Sequence, residues 1–194
     1  MDKYIFDTDF SLRDPLILTD ETFWMRWSPR SFKNKPVDEE ILKSIIDAAR
    51  WTMSCFNEQP WLIVTSSKNS LAKHLELLNE NNRDWAKDAP VIGFIFAGKT
   101  FSHNGKENKW ARFDCGAAWM AMTLQANMHG LFTHGMAGFD RDRSNEVLSI
   151  PENYEPVIAF ALGYRDTPDQ LDERNRTREK PSPRKPLNKI WKIT

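Results

Sequence analysis

The amino-acid sequence predicts an α+β fold, in which helices cover a small β-sheet within a single domain. The chain has 194 residues, of which 40% are hydrophobic and 12% aromatic, so it can bury a sizeable core. Two short segments, 91–98 and 156–164, are apolar almost throughout, which is typical of strands covered on both faces. Two longer segments, 38–50 and 111–130, have the pattern or composition of helices. Few strands separated by helices favour an α+β architecture.

The first half of the chain begins with residues 1–21, whose weak periodicity predicts an N-terminal arm or short helix before a domain over 22–194. A helix is predicted from Asp38, a favourable N-cap residue, to Arg50. Its apolar residues share one face, and they are Ile41, Leu42, Ile45, Ile46 and Ala49. A turn-rich stretch then leads into LIVTSS, a predicted short strand, and residues 70–87 are predicted to be helical.

In the second half, a polar loop precedes a long predicted helix over residues 111–130. Its small residues permit close approach of another backbone, and they are Gly116, Ala117, Ala118 and Ala121. Gly130 is expected to end this helix. Residues 131–139 are predicted to form a glycine-containing turn, and residues 141–150 a short helix before the strand at 156–164.

Charge and hydropathy exclude several classes of function. The 27 Lys and Arg residues balance 27 Asp and Glu residues, which argues against a nucleic-acid-binding protein with a large cationic excess. The N-terminus lacks a signal-peptide-like apolar run, and no window approaches the roughly 20 apolar residues of a membrane helix. We therefore expect a cytoplasmic protein that binds neither nucleic acid nor membrane. Positive charge gathers in residues 165–194, which are predicted to form a basic extended tail.

The cysteines and the standard catalytic motifs offer no chemistry of their own. Cys55 and Cys115 lack the paired spacing of a zinc site or a disulfide, and we expect both to be small buried hydrophobes. No histidine adjoins Cys55 to activate it as a nucleophile. The sequence contains no HExxH, P-loop, GxGxxG or GxSxG pattern, so metal, nucleoside-triphosphate and serine-hydrolase sites have no support.

The first candidate motif is MRWSPRSF, which begins at Met25. In an extended segment, the side chains of Arg26, Ser28 and Arg30 point to one side. Two guanidinium groups and a hydroxyl that converge in this way are suited to bind a phosphate, because arginine offers bidentate, charge-assisted hydrogen bonds. A solvated basic strand is the alternative interpretation of the same spacing.

Two further motifs could contact a planar ligand. In the segment from Ser54 to Trp61, the amides of Asn57 and Gln59 can donate to and accept from a heterocycle. In the segment from Thr133 to Asp140, small residues allow backbone N–H groups to approach a ring. The alternatives are an ordinary polar turn in the first case and a structural histidine, His134, in the second.

The order of the motifs along the chain resembles the nitroreductase family of FMN flavoproteins. The series runs R-x-S-x-R-x-F, S-x-x-N-x-Q-P-W, W-A-K-D-A-P, D-x-G-A-A, H-G-L-x-T with G-F-D, I-P-E before L-G-Y, and R-K-P-L. It covers roughly Thr22 to Ile190. The resemblance implies a small, mostly antiparallel sheet flanked by helices, and an intertwined homodimer that holds FMN at the subunit interface.

The resemblance also assigns cofactor-binding residues. Arg26, Ser28 and Arg30 match the segment that holds the FMN phosphate and reaches the edge of the isoalloxazine ring, and Trp27 in the same segment is assigned to the cofactor through stacking or packing. Asn82 matches the asparagine that contacts the pyrimidine ring, with Asn79 and Asn81 as alternatives. The remaining matches are Ala137 and Gly138 at flavin N5, Arg184 and Lys185 near the phosphate, and Ser54, Cys55 and Asn57 in a loop from the second subunit.

The activity implied by the resemblance is electron transfer from NADH or NADPH to a nitroaromatic, quinone or similar acceptor by a ping-pong mechanism, with the chemistry on flavin N5. The chain departs from the family pattern at Trp27, at the bulky Phe56 and at Gly135-Met136-Ala137. These departures leave three alternatives open: an FMN store or sensor without turnover, a flavin-dependent dehydrogenase of a carbonyl or alkene, and an interaction module that acts through its basic tail.

Overall fold

A computed structural model describes residues 8–194 of the protein. Its strands are β1 (Trp61–Thr65), β2 (Val91–Gly98), β3 (Phe132–Met136) and β4 (Tyr154–Gly163). Its helices are α1 (Glu21–Met25), α2 (Glu39–Arg50), α3 (Leu71–Glu76), α4 (Glu80–Ala86), α5 (Ala111–Met128), α6 (Arg141–Leu148) and α7 (Glu173–Arg176). Short 3-10 turns occur at Cys55–Asn57, Pro168–Gln170 and Leu187–Lys189.

The four strands form one antiparallel sheet in the order β1-β2-β4-β3, which confirms the predicted α+β class. The central strand β2 is buried along its whole length, as its apolar run predicts. Both faces of the sheet are covered, because one core cluster contains Phe94 and Trp85 and a second contains Ile95 and Met122. Alternate residues of β2 thus contribute to opposite layers of the core.

The two main helices form where the sequence predicts them, and they pack beside each other on one face of the sheet. The Asp38 carboxylate caps α2 by accepting hydrogen bonds from the N–H groups of Glu40 (2.9 Å) and Ile41 (3.3 Å). Helix α5 ends just before Gly130, whose φ of 73° suits glycine. Local capping signals therefore set the start of α2 and the end of α5.

The turn predicted over residues 131–139 is wrong, because residues 132–136 form the edge strand β3. Their backbone pairs with β4, with Thr133 opposite Leu162 and His134 opposite Ala161. A Cβ atom on Gly135 would come within 2.8 Å of Ile158 Cδ1, so the glycine permits a close side-chain contact here rather than a turn. Pairing with a distant strand overrides the local composition.

The single helix predicted over residues 70–87 is also wrong, because the chain forms α3 and α4 with a break between them. At the break, the N–H of Asn79 donates to the carbonyl of Gly138 over 3.1 Å. The Asn79 side chain then caps α4 by accepting from the N–H of Asn82 over 3.0 Å. A contact across the fold thus ends one helix and starts the next.

Residues from both ends of the described chain lie beside residues 25–32 (MRWSPRSF), which form the Arg26 segment. Residues 1–7 of the predicted arm are outside the described residues, and α1 begins after the N-cap Asp20. The segment after β4 contains α7 and buries Leu171 and Glu179, so it is not extended throughout. Its docking includes a hydrogen bond from Asp166 N–H to the Ser31 carbonyl. No helix between residues 8 and 194 is long and apolar enough to cross a bilayer.

Candidate cofactor site

The main candidate site is a cavity of about 560 Å³ beside the Arg26 segment. Arg26, Ser28 and Arg30 line it together, and an Arg26 Nη1 donates to Ser28 Oγ over 3.3 Å. Trp27 also borders the cavity, but it is 4% exposed, and its ring packs edge-on against Phe132 at 6.4 Å. The polar residues of the segment therefore share the cavity while Trp27 anchors the segment to the core.

The electrostatics of this cavity favour an anion. No acidic side chain lines it anywhere in the described part of the chain. Burial lowers the pKa of Arg26, and the nearby charge of Arg184 lowers it further. The cations at the cavity come from the N-terminal and C-terminal parts of the chain, and they are Arg13, Arg26, Arg30, Arg178, Lys180 and Arg184. A phosphate would compensate this concentrated positive charge.

Glu179 fastens the C-terminal segment to the Arg26 segment. Its carboxylate accepts from the N–H of Arg30 at 2.9 and 3.0 Å and from the N–H of Ser31 at 3.0 Å. The side chain is buried, which raises its pKa, while these hydrogen bonds act in the opposite direction. Sequence reasoning missed this residue, because an acidic residue in a basic tail does not show which distant N–H groups it meets.

We expect Glu179→Gln to loosen the C-terminal segment and lower the free energy of unfolding by about 1–3 kcal/mol. The amide keeps one acceptor oxygen but loses the charge and presents an NH₂ group to backbone donors. Urea unfolding and the rate of tryptic cleavage after Arg174 or Arg176 would measure the change. Glu146→Gln on the exposed surface of α6 is the control, and equal behaviour of the two variants would contradict the prediction.

His134 enters the same cavity as a neutral side chain. Its Nδ1 lies 2.9 Å from the Pro29 carbonyl oxygen, which can only accept, so Nδ1 carries the proton. The ring also packs against Trp85, with 4.6 Å between centroids. Burial lowers the pKa of His134 to about 4. The positive charge of Arg30 contributes to this decrease, whereas the hydrogen bond to Pro29 opposes it. His134 is therefore a structural partner of the segment rather than a cation of the site.

This depressed pKa predicts a loss of stability in mild acid. Below the ordinary histidine pKa of 6.5, the unfolded chain binds a proton that the folded chain excludes until about pH 4. The free energy of unfolding should therefore fall by about 3 kcal/mol more in the wild type than in His134→Gln between pH 7 and pH 4. Urea titrations of both proteins across this range would measure the difference. Parallel pH profiles would contradict it.

Of the three candidate asparagines, Asn82 is the one whose side chain hydrogen-bonds to the turn that follows β3. Its Nδ2 donates to the Gly138 carbonyl over 3.0 Å. Asn79 is engaged as the cap of α4, and Asn81 accepts from Arg174 Nη1 over 3.1 Å. Asn82 also lines a second cavity of about 280 Å³. Arg30 and Arg178 line both cavities, so they lie where the two cavities adjoin.

Other predicted site residues lie apart from these two cavities within one chain. Ser54, Cys55 and Asn57 line neither cavity, and the Cys55 N–H is tied to the Asp114 carboxylate over 3.1 Å. Ala137 is exposed in the turn before Gly138. Lys185 lines a separate apolar groove with Arg184, which also borders the main cavity.

Comparison with known proteins identifies the relatives of this chain. The sequence model of the nitroreductase family matches residues 25–82 and 66–164. A Methanothermobacter thermautotrophicus protein named as an NADH dehydrogenase/NAD(P)H nitroreductase is 30% identical over 149 residues, which cover 74% of this chain and 75% of that protein. The NADH dehydrogenase of Thermus thermophilus is 24% identical over 170 residues, which cover 72% and 82% of the two chains.

Solved structures agree with the sequence matches. A crystal structure described as an oxidoreductase containing FMN has a TM-score of 0.88 and 38% identity, and the match covers 92% of this chain and 93% of that one. A nitroreductase family protein from Clostridium difficile 630 has a TM-score of 0.66 and 27% identity over 86% of this chain and 92% of its own. Since the family match extends over most of the sequence and the fold agrees, the chain belongs to the nitroreductase family.

Proposed function

We propose that this protein is an FMN-dependent oxidoreductase that transfers electrons from NADH or NADPH to a small acceptor such as a nitroaromatic or a quinone. The observation that carries the proposal is the pair of adjoining cavities, one rich in cations and the other bordered by Asn82, with Arg30 between them. An FMN-containing oxidoreductase of closely similar fold supports the choice of cofactor.

The residues present fit the two ends of FMN. At one end, Arg26, Ser28 and Arg184 would hold the phosphate in a cavity with no acidic side chain among the described residues. At the other end, Asn82 and the turn at Gly138 would face the ring, since Asn82 Nδ2 already holds the Gly138 carbonyl and leaves its Oδ1 free to accept. Arg30 would add positive charge between the two ends.

When bound, FMN would supply the redox chemistry, namely hydride acceptance from the reduced nicotinamide and electron donation to the acceptor. The protein's residues bind and orient the cofactor, and no side chain is needed as a nucleophile. Trp27 is packed in the core and so supports the phosphate-binding segment from behind. We expect the nicotinamide and the acceptor to use one pocket in turn, which predicts ping-pong kinetics.

A second copy of the chain would complete the site. The loop with Ser54, Cys55 and Asn57 lies away from both cavities of its own chain, so we propose that it serves the cavities of a partner in a homodimer. Large apolar side chains that a monomer leaves in water support this assembly. They include Ile17, Leu18, Met53, Phe56, Phe113 and Ile193, all at least 73% exposed.

Absorption spectroscopy of the purified protein tests the cofactor directly. We expect a flavin spectrum, or its appearance on addition of FMN, followed by anaerobic bleaching with NADH or NADPH. Steady-state rates with a nitroaromatic and with a quinone should then give parallel double-reciprocal plots. Failure to take up FMN would contradict the proposal, whereas bound FMN without any nicotinamide oxidation would indicate a store or sensor.

Light scattering and complementation test the dimer. We expect a dimer in solution, and we expect activity when an Arg26→Ala/Arg30→Ala chain is co-expressed with a chain altered in the Ser54 loop. Such a mixed dimer keeps one intact site, since each site takes its two halves from different chains. A monomer with full activity would contradict the shared site.

A further inference from the structure

Arg13 approaches the main cavity from the segment that precedes α1. Its N–H donates to the Phe10 carbonyl over 2.8 Å, and its Nη1 donates to the Trp24 carbonyl over 3.1 Å. The ring of Phe10 packs edge-on against Trp24 at 5.9 Å. Backbone and aromatic contacts thus hold Arg13 at the border of the cavity, beside Arg26 and Arg184.

The rest of the Arg13 guanidinium is buried and unsatisfied. Its Nε and Nη2 are shielded from solvent and have no hydrogen-bond partner among the described residues. Buried donors of this kind are rare in folded proteins, and a charged one is costly to leave without an acceptor. Their presence beside a cavity indicates that the described part of the chain lacks an acceptor for them.

The charges around Arg13 identify the kind of acceptor. Burial lowers the pKa of Arg13 to about 10, and the positive charges of Arg184 and Arg26 contribute further, so Arg13 stays protonated at neutral pH. Three guanidinium groups, from the segments before and after α1 and from the C-terminal segment, therefore meet at a cavity whose described lining contains no carboxylate. An anion with several acceptor oxygens would satisfy all three.

We propose that Arg13 binds the phosphate monoester of FMN, together with Arg26 and Arg184, and so selects FMN over riboflavin. The inference rests on the proposed function, and it adds a ligand from the N-terminal segment to the phosphate-binding residues. A phosphate monoester carries three terminal oxygens and close to two negative charges, which match three guanidinium groups. Reorientation of the Arg13 side chain toward the cavity would let its unpaired N–H groups donate to these oxygens.

Affinities for FMN and riboflavin, measured by quenching of flavin fluorescence, test the inference. We expect Arg13→Ala to weaken FMN binding by about 10- to 100-fold, the loss of one charge-assisted interaction, and to change riboflavin binding by less than about threefold. Arg13→Lys should recover part of the loss. Arg50→Ala, which removes an exposed arginine paired with Asp47 on α2, is the control.

A purely structural role through Trp24 makes a different prediction. In that case Arg13→Ala would weaken FMN and riboflavin equally, and this result would overturn the inference. Arg13→Gln distinguishes the roles if the alanine variant is unfolded, because it retains an amide donor for the Trp24 carbonyl without the charge. If the wild type binds FMN and the Arg13 variants bind it with unchanged affinity, the inference about Arg13 is overturned but the proposed function is not. A wild type that bound neither flavin would also overturn the proposed function.

Discussion

Replacement of both Arg26 and Arg30 with alanine should weaken FMN binding by about 10²- to 10⁴-fold and leave the fold intact. Each arginine is expected to contribute a charge-assisted interaction worth about 1.5–3 kcal/mol. Both side chains border the cavity, and burial already lowers the pKa of each guanidinium, so a bound anion would be poorly screened by water.

The fold should survive because the segment is held by groups that alanine retains. Glu179 accepts from the backbone N–H of residues 30 and 31 rather than from the arginine side chains. Trp27 and Phe32 anchor the segment in the core. Circular dichroism and urea unfolding would check this point, and flavin content with FMN affinity would measure the loss.

The matched control replaces two exposed arginines outside the cavities, Arg50 and Arg143, with alanine. We expect this control to bind FMN like the wild type. Full FMN occupancy in the Arg26→Ala/Arg30→Ala variant would refute the phosphate assignment. Equal loss in the control would show that general positive charge, rather than the cavity, attracts the cofactor.

Gly138→Ala should damage both stability and cofactor binding. A Cβ atom on Gly138 would lie 2.2 Å from Asn79 Nδ2 and 2.9 Å from Asn82 Nδ2. Asn79 cannot move away without losing its role as the N-cap of α4, and Asn82 cannot move without losing its hydrogen bond to the Gly138 carbonyl. Loss of a cap together with overpacking predicts about 2–4 kcal/mol of destabilisation.

We also expect Gly138→Ala to reduce FMN affinity by more than about tenfold, because it displaces the turn and Asn82 together. Urea unfolding and FMN titration would measure the two effects separately. Gly98→Ala at the end of β2 is the control, since a Cβ there meets Pro60 O at 3.5 Å, an ordinary contact. A Gly138→Ala protein with unchanged stability and FMN affinity would show that the turn has room to adjust.

Several elements could be predicted because their signals lie within one short window. The Asp38 cap and one apolar face define α2, and a continuous apolar run defines β2. The sides to which Arg26, Trp27 and Arg30 point also follow from the local sequence, since neighbouring side chains of an extended segment point to opposite sides. Such features depend on residues a few positions apart.

Other features could not be predicted because their partners are distant in the sequence. The edge strand β3 exists through pairing with β4, and the break between α3 and α4 exists through the bond from Asn79 N–H to the Gly138 carbonyl. The same reason explains why three neighbouring asparagines could not be distinguished by sequence. The side chain of Asn82 meets the distant Gly138 carbonyl and that of Asn81 meets Arg174, whereas that of Asn79 caps its own helix.

By itself, the sequence determined the α+β class and the family, and it predicted the motif proposed to bind phosphate, because each depends on local composition or on the order of short motifs. Only the tertiary structure decided which residues from the two ends of the chain join that motif. Glu179 meets the backbone of Arg30, and Arg13 meets Arg26 and Arg184, across separations that no periodicity spans. Like charges gather at such a site because folding elsewhere in the chain positions them, and a bound anion would compensate the repulsion.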